Sequence, residues 1–253
     1  MTREAGAINL LPQWTKPVSV TKKNQTSTRR CRRFFVLPLS ATLLCGSAVG
    51  FVTALSAADL IAGRAIAINR GGFGACVACH GWHGEGDAEG IVPRLAGQNP
   101  VYMFKQLQNY ASGERYNPVM SPVAAVLTEE QRANVSAYFA RLTETERVRR
   151  PAHLRPGLLD QGREIARLGL PEKAVPACDS CHAPGLENKP PEAPLLAGLN
   201  VTYSSYQMHL FKSGHRDNDP LERMRSFASR LTDDEITAVT TYYSTLPASE
   251  GSP

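Results

Sequence analysis

Residues 76–80 read Cys-Val-Ala-Cys-His, and residues 178–182 read Cys-Asp-Ser-Cys-His. On one helical turn, positions i, i+3 and i+4 share a face, so this spacing presents two thiols and an imidazole side by side. Cys-x-x-Cys-His is the attachment signature of c-type haem: Cys76 and Cys79, or Cys178 and Cys181, take the vinyl groups while His80 or His182 reaches the iron. Other chemistries suit these residues less well. A structural zinc site wants four ligands, and neither half has a second Cys pair. A thioredoxin-like thiol pair expects a strand-helix-strand setting, and no alternating strand pattern is present. Disulfide pairing is compatible with an oxidising compartment but gives the repeated His no role.

The two motifs sit inside a longer repeat. Gly63-Arg64-Ala65-Ile66 answers Gly162-Arg163-Glu164-Ile165, and Pro93-Arg94-Leu95-Ala96-Gly97 answers Pro194-Leu195-Leu196-Ala197-Gly198. Further on, Gly113-Glu114-Arg115 answers Gly214-His215-Arg216, and Met120 answers Met224. A Leu-Thr pair followed by acids begins seven residues after each Met, and the aromatic pairs Tyr138-Phe139 and Tyr242-Tyr243 close the two halves. The chain therefore divides into an export signal or N-terminal anchor over 1–58, a first haem domain over 59–146 and a linker over 147–157. A second haem domain covers 158–248, and a tail covers 249–253. Arg149, Arg150, Pro151 and Pro156 give the boundary its linker composition.

Within each half the pattern is helical. Thr128 and Thr232 can each cap a helix with acids in its first turn, and apolar residues then recur at helical spacing. Pro100 to Gly113 and Val201 to Gly214 read as one further helix per half, with Gly as the stop signal. The expected fold class is all-α. A domain of about 90 residues with Gly- and Pro-rich loops has a thin core by itself, and a large buried cofactor such as a covalent haem would complete it.

A second axial ligand is recognised only by its place in the repeat. Met120 and Met224 occupy matching positions in loop-like sequence, and they are the candidates for the far side of each iron. The other choices are weaker. Met103 and Met208 lie inside helices at non-equivalent positions and read as core packing. His209 and His215 have no His counterpart in the first half, which carries Gln108 and Glu114 there. His83 follows the first motif too closely to circle a haem, and His153 falls in the linker.

The first 58 residues differ from the rest. Arg29, Arg30, Arg32 and Arg33 run into a charge-free segment from Phe34 to Ala58, the order of an export signal, with small residues Ser56-Ala57-Ala58 offering a cleavage site. Its 25 uncharged residues also suffice to cross a bilayer, so an uncleaved anchor stays open. The whole chain has 28 Lys/Arg against 23 Asp/Glu; the leader holds eight of the basic residues and one acid, so without it the formal charge moves from +5 to −2. Nucleic-acid binding, which needs a basic patch on the folded part, has no support.

Two haem motifs, each followed by Pro-x-Leu-Ala-Gly, a helix, Gly-x-Arg, a Met and a Leu-Thr-acid helix, resemble cytochrome c4 and related dihaem class I cytochromes c over residues 59–248. The resemblance implies two tandem class I cytochrome c domains, each wrapped around a haem, packed about a pseudo-twofold axis. It implies that the carbonyls of Pro93 and Pro194 hold the ligand His residues, and that Gly63 and Gly162 let the first helix of each domain cross the last near Tyr138 and Tyr242. It further implies a periplasmic electron shuttle from a quinol-oxidising complex to a terminal oxidase. The departures are the long leader, three extra residues before Met224 around Asp217 to Pro220, and a comparable insertion near Leu170-Pro171-Glu172. An electron-accepting subunit of a periplasmic dehydrogenase is the alternative. A dihaem enzyme would need an open or unusual iron site, whereas both halves supply a Met.

Overall fold

The structure, a computed structural model, describes residues 58–69, 75–143, 155–183 and 190–247. The expected leader, most of the expected linker and the C-terminal tail lie outside the described residues. Each half supplies five helices within this set. Helix α1 (Leu60–Ile68) starts where the Asp59 carboxylate accepts the N–H groups of Ile61 and Ala62, at 2.7 and 3.1 Å. The single turn α2 (Val77–His80) carries the first haem motif. Helix α3 (Pro100–Ser112) is capped by Asn99 and places Pro100 at its first position, where a missing N–H costs nothing. It stops at Gly113, whose φ of 84° is the left-handed conformation that ends many helices. After α4 (Met120–Ala125), the helix α5 (Glu129–Arg141) opens with a reciprocal capping box between Thr128 and Gln131.

The second half repeats this order as α6 (Leu158–Leu168), α7 (Asp179–His182), α8 (Val201–Lys212), α9 (Arg223–Arg230) and α10 (Asp233–Ser244). Thr232 and Glu235 form the matching capping box. No strand occurs among the described residues; a lone bridge pairs Leu170 with Val175 across the extra turn before the second motif.

Packing follows the duplication. Helix α1 lies on α5 and α6 on α10, and each crossing passes through a glycine. A Cβ at Gly63 would run into the Asn134 carbonyl and stand 2.9 Å from the Tyr138 Cβ. One at Gly162 would meet the Ala238 carbonyl and stand 2.8 Å from the Tyr242 Cβ. Backbone therefore rests on backbone at the positions the resemblance implies. Ala67, Val77, Met103, Val135 and Phe139 fill the first core, and Leu158, Ile165, Ala166, Val239, Tyr242 and Tyr243 the second. Met208 packs beside Val175, Leu231 and Ile236, so Met103 and Met208 both serve packing.

One expectation changes. Met120 and Met224 stand in loop-like sequence, yet Met120 opens α4 and Met224 lies in the first turn of α9. Pro122 does not forbid α4, because an early helical position needs no N–H partner. Asn117 supplies the turn that starts it, its side-chain oxygen accepting the N–H groups of Val119 and Met120, both at 2.9 Å.

Candidate haem sites

Local backbone geometry brings each motif onto one face. His80 N–H donates to the Cys76 carbonyl at 2.9 Å, and His182 N–H to that of Cys178 at 3.0 Å, so thiols and imidazole occupy a single turn in both halves. The chain then loops back. Leu95 and Ala96 donate to the Gly84 carbonyl, and Gly97 donates to the Phe139 carbonyl on α5. In the second half Gly198 donates to the Tyr243 carbonyl on α10 at 2.9 Å. These anchors deliver a proline carbonyl to each ring. His80 Nδ1 donates to the Pro93 oxygen at 2.9 Å and His182 Nδ1 to that of Pro194 at 2.8 Å. Such a bond fixes tautomer and orientation, makes Nε2 the nitrogen that could take a metal, and raises its basicity.

Electrostatics favour uncharged side chains here. Burial pushes the His80 imidazole below its ordinary value, against the pull of the Pro93 carbonyl and Asp87, so the ring is neutral as an iron ligand must be. Burial also pushes the Cys76 thiol up, and burial together with Asp179 pushes Cys178 up to about 12. Cys76, Cys79, Cys178 and Cys181 are all free of disulfides. Thiol pairs on one turn without disulfides and a buried imidazole held through Nδ1 by a proline carbonyl together fit a covalent haem in each half.

Met120 and Met224 are half-buried, and their helices α4 and α9 pack on α3 and α8 respectively. His83 is exposed and donates its N–H to Glu85. His215 is exposed beside Ser213, and His209 lies 3.9 Å from Asp233 at the surface. His153 lies outside the described residues.

Sequence reasoning missed the side chains that join the halves. Arg115 and Arg216 are buried, and each donates to the Gln of its own half and to the other half's Gln and Tyr. Arg115 reaches Gln106 at 2.7 Å, Gln207 at 2.6 Å and Tyr203 at 3.3 Å. Arg216 reaches Gln207 at 2.7 Å, Gln106 at 3.1 Å and Tyr102 at 3.3 Å. The guanidiniums also stack on Tyr110 and Phe211. Burial alone would raise the Tyr102 phenol, but Arg216 and Arg115 bring it down to about 8. A usable signal existed, since these Tyr, Gln and Arg positions recur at one constant offset between the halves. The proline loops meet as well: Arg94 donates to the Ala197 carbonyl at 2.7 Å, and Gln98 exchanges two hydrogen bonds with the Leu195 backbone.

The cytochrome c family model matches residues 62–143. Cytochrome c4 of Thiocapsa roseopersicina is 37% identical over 171 residues, covering 67% of this chain and 85% of that one. The chain belongs to the cytochrome c4 family. A thiosulfate dehydrogenase electron acceptor of Thiomonas intermedia (strain K12) is 35% identical over 175 residues, 69% of this chain and 79% of its own. Among solved structures, reduced cytochrome c4 from Pseudomonas stutzeri superposes with a TM-score of 0.64 at 31% identity, covering 75% of this chain and all of that one. Thiosulfate dehydrogenase (TsdBA) from Marichromatium purpuratum gives 0.67 at 35% identity over 75% of this chain but only 41% of its own, longer chain. As a cytochrome c4, this protein is an all-α dihaem electron carrier built from two tandem class I domains, with two covalently bound haem c groups.

Proposed function

We propose that His80 and Met120 ligate one iron and His182 and Met224 the other, with Cys76, Cys79, Cys178 and Cys181 forming the thioether links. The two domains are placed at 59–146 and 158–248. The observation that carries this reading is the repeated set: a motif turn, a buried His held by a proline carbonyl, and a Met opening a helix. A haem so held supplies a one-electron change at iron. His80 with Met120, and His182 with Met224, would hold the two irons and exclude a substrate from the metal, and His/Met ligation would also raise the potential. The protein then transfers electrons without bond chemistry and is not an enzyme.

The charge order of the leader supports export to the periplasm. Among the described residues no helix is long and apolar enough to cross a membrane, so a tether to the inner membrane would have to come from 1–58. We place the protein between a quinol-oxidising complex and a terminal oxidase. The relatives linked to thiosulfate dehydrogenase favour a second reading, in which a periplasmic dehydrogenase is the electron donor. Reduction assays with each donor class separate the two: rapid reduction by the dehydrogenase and none by the quinol-oxidising complex would select the second.

The ligand set is tested by visible and near-infrared spectroscopy through a redox titration of protein matured in a bacterial periplasm. Two haems per chain, a methionine-to-ferric charge-transfer band of two-haem intensity and two high potentials are expected. A high-spin signal, or a band of one-haem intensity, would sink the assignment and return His209 and His215 to consideration.

A further inference from the structure

The two Met residues are reached by different stretches of chain. Seven residues lead from Gly113 to Met120, and ten from Gly214 to Met224. In the first half Asn117 grips the amide of Met120 itself. Its counterpart Asn218 does not take that role. Its side chain faces the other half, where Nδ2 donates to Gln106 at 3.0 Å and to Asn109 at 2.8 Å while Oδ1 accepts from Arg216 Nε at 3.1 Å. The start of α9 therefore needs another anchor.

Asp219, from the inserted segment, supplies it. Its side chain is 3% exposed, and its two oxygens accept from one residue: Oδ2 from the Arg225 N–H at 3.0 Å, Oδ1 from Arg225 Nε at 2.8 Å. That residue directly follows Met224. Between Asp219 and Met224, Leu221 and Glu222 both adopt a φ of 57°, a left-handed conformation that L side chains avoid unless their surroundings impose it. A buried carboxylate clamping the first turn of α9 from inside is such an imposition.

We propose that Asp219 is the positioning residue for Met224, doing through the Arg225 amide and guanidinium what Asn117 does directly for Met120. The proposal rests on the reading of Met224 as an iron ligand. Asp219 touches neither iron nor haem in this scheme; it fixes where the Met224 backbone starts.

The test uses the mature dihaem protein and follows the charge-transfer band, the two potentials and the rate at which added imidazole displaces Met. Met224→Ala should remove half the band and identify the second haem. Asp219→Ala should weaken the same half, lower the same potential and speed displacement at that haem about tenfold, the worth of a lost helix cap. Asp219→Asn keeps an acceptor for the Arg225 N–H but turns the charge-assisted bond to Arg225 Nε into a neutral one, and should speed displacement about threefold. If Asp219→Ala does not mature, a native displacement rate in Asp219→Asn overturns the proposal. So do native band, potential and rate in Asp219→Ala when Met224→Ala has removed half the band, which leaves the ligand reading standing. A full band in Met224→Ala removes ligand and positioning roles together.

Discussion

The first and second halves agree most closely where a haem would be gripped and diverge in what surrounds the grip. The His-to-proline bonds, the crossing glycines and the capping boxes repeat with nearly the same distances. Around them, Arg94 and Gln98 face Leu195 and Leu199 as counterparts, Val77 and Phe139 face Asp179 and Tyr243, and Asn117 hands its role to Asp219. The difference teaches that ligand geometry tolerates little change after duplication, while polarity and charge near each site are free to drift. Such drift is a means of giving one chain two unlike haems.

The largest expected effect breaks the shared part. Gly63→Ala and Gly162→Ala each force a methyl group against a backbone carbonyl, so two helices must move apart. Each should cost about 3 kcal/mol, read from denaturant unfolding of the mature protein. Near-equal losses would sharpen the equivalence of the crossings. A tolerated alanine in one half alone would show that its helices are not in backbone contact.

The next effect lies between the halves. Arg115→Met and Arg216→Met each remove a buried guanidinium and strip hydrogen bonds from both sides of the junction, at about 2 kcal/mol apiece. Because both cations share the oxygens of Gln106 and Gln207, the losses should not add. The double variant should cost less than the two single losses together by at least about 0.5 kcal/mol. Strict additivity would mean that the two arginines act as separate contacts rather than as one network.

Much of this was legible beforehand because it is local. Pro100 and Gly113 bound α3 through the φ values each residue allows, and Thr128 and Thr232 start α5 and α10 through a side-chain oxygen. The haem motif itself is a statement about one helical turn. The helices carrying Met120 and Met224 were not legible, since a Pro and polar turn residues mask a start that depends on single side chains at Asn117 and Asp219. The extra turn at Leu170–Val175, with Ala174 at a φ of 50°, has no periodicity to announce it. The arginine network was hidden for another reason: a repeat in one dimension does not say which faces of the two copies meet.

The smallest effect concerns the second motif. Where the first half places Val77 and Phe139, the second places Asp179 and Tyr243, and the Tyr243 hydroxyl donates to the Asp179 carboxylate at 2.6 Å. Burial, together with Cys178 and this bond, pushes the Tyr243 phenol upward, so it remains a neutral donor. Asp179 lies three residues before His182, so with His182 as the proposed ligand its charge would be close to the second iron and would favour the ferric state. At an effective dielectric of about 20, a unit charge within about 15 Å of the metal contributes about 1 kcal/mol. Partial exposure reduces this to about 0.5 kcal/mol, or about 20 mV for one electron. Asp179→Asn should raise the second potential by that amount and leave the first unchanged. Tyr243→Phe should lower it slightly, because the carboxylate loses the donor that disperses its charge. Joining Asp179→Val to Tyr243→Phe gives the second site the first site's residues, and the two potentials should then shift relative to each other as for the charge removal alone. If redox titration finds the second potential unmoved in Asp179→Asn, this divergence between the halves is one of packing rather than of electrostatics.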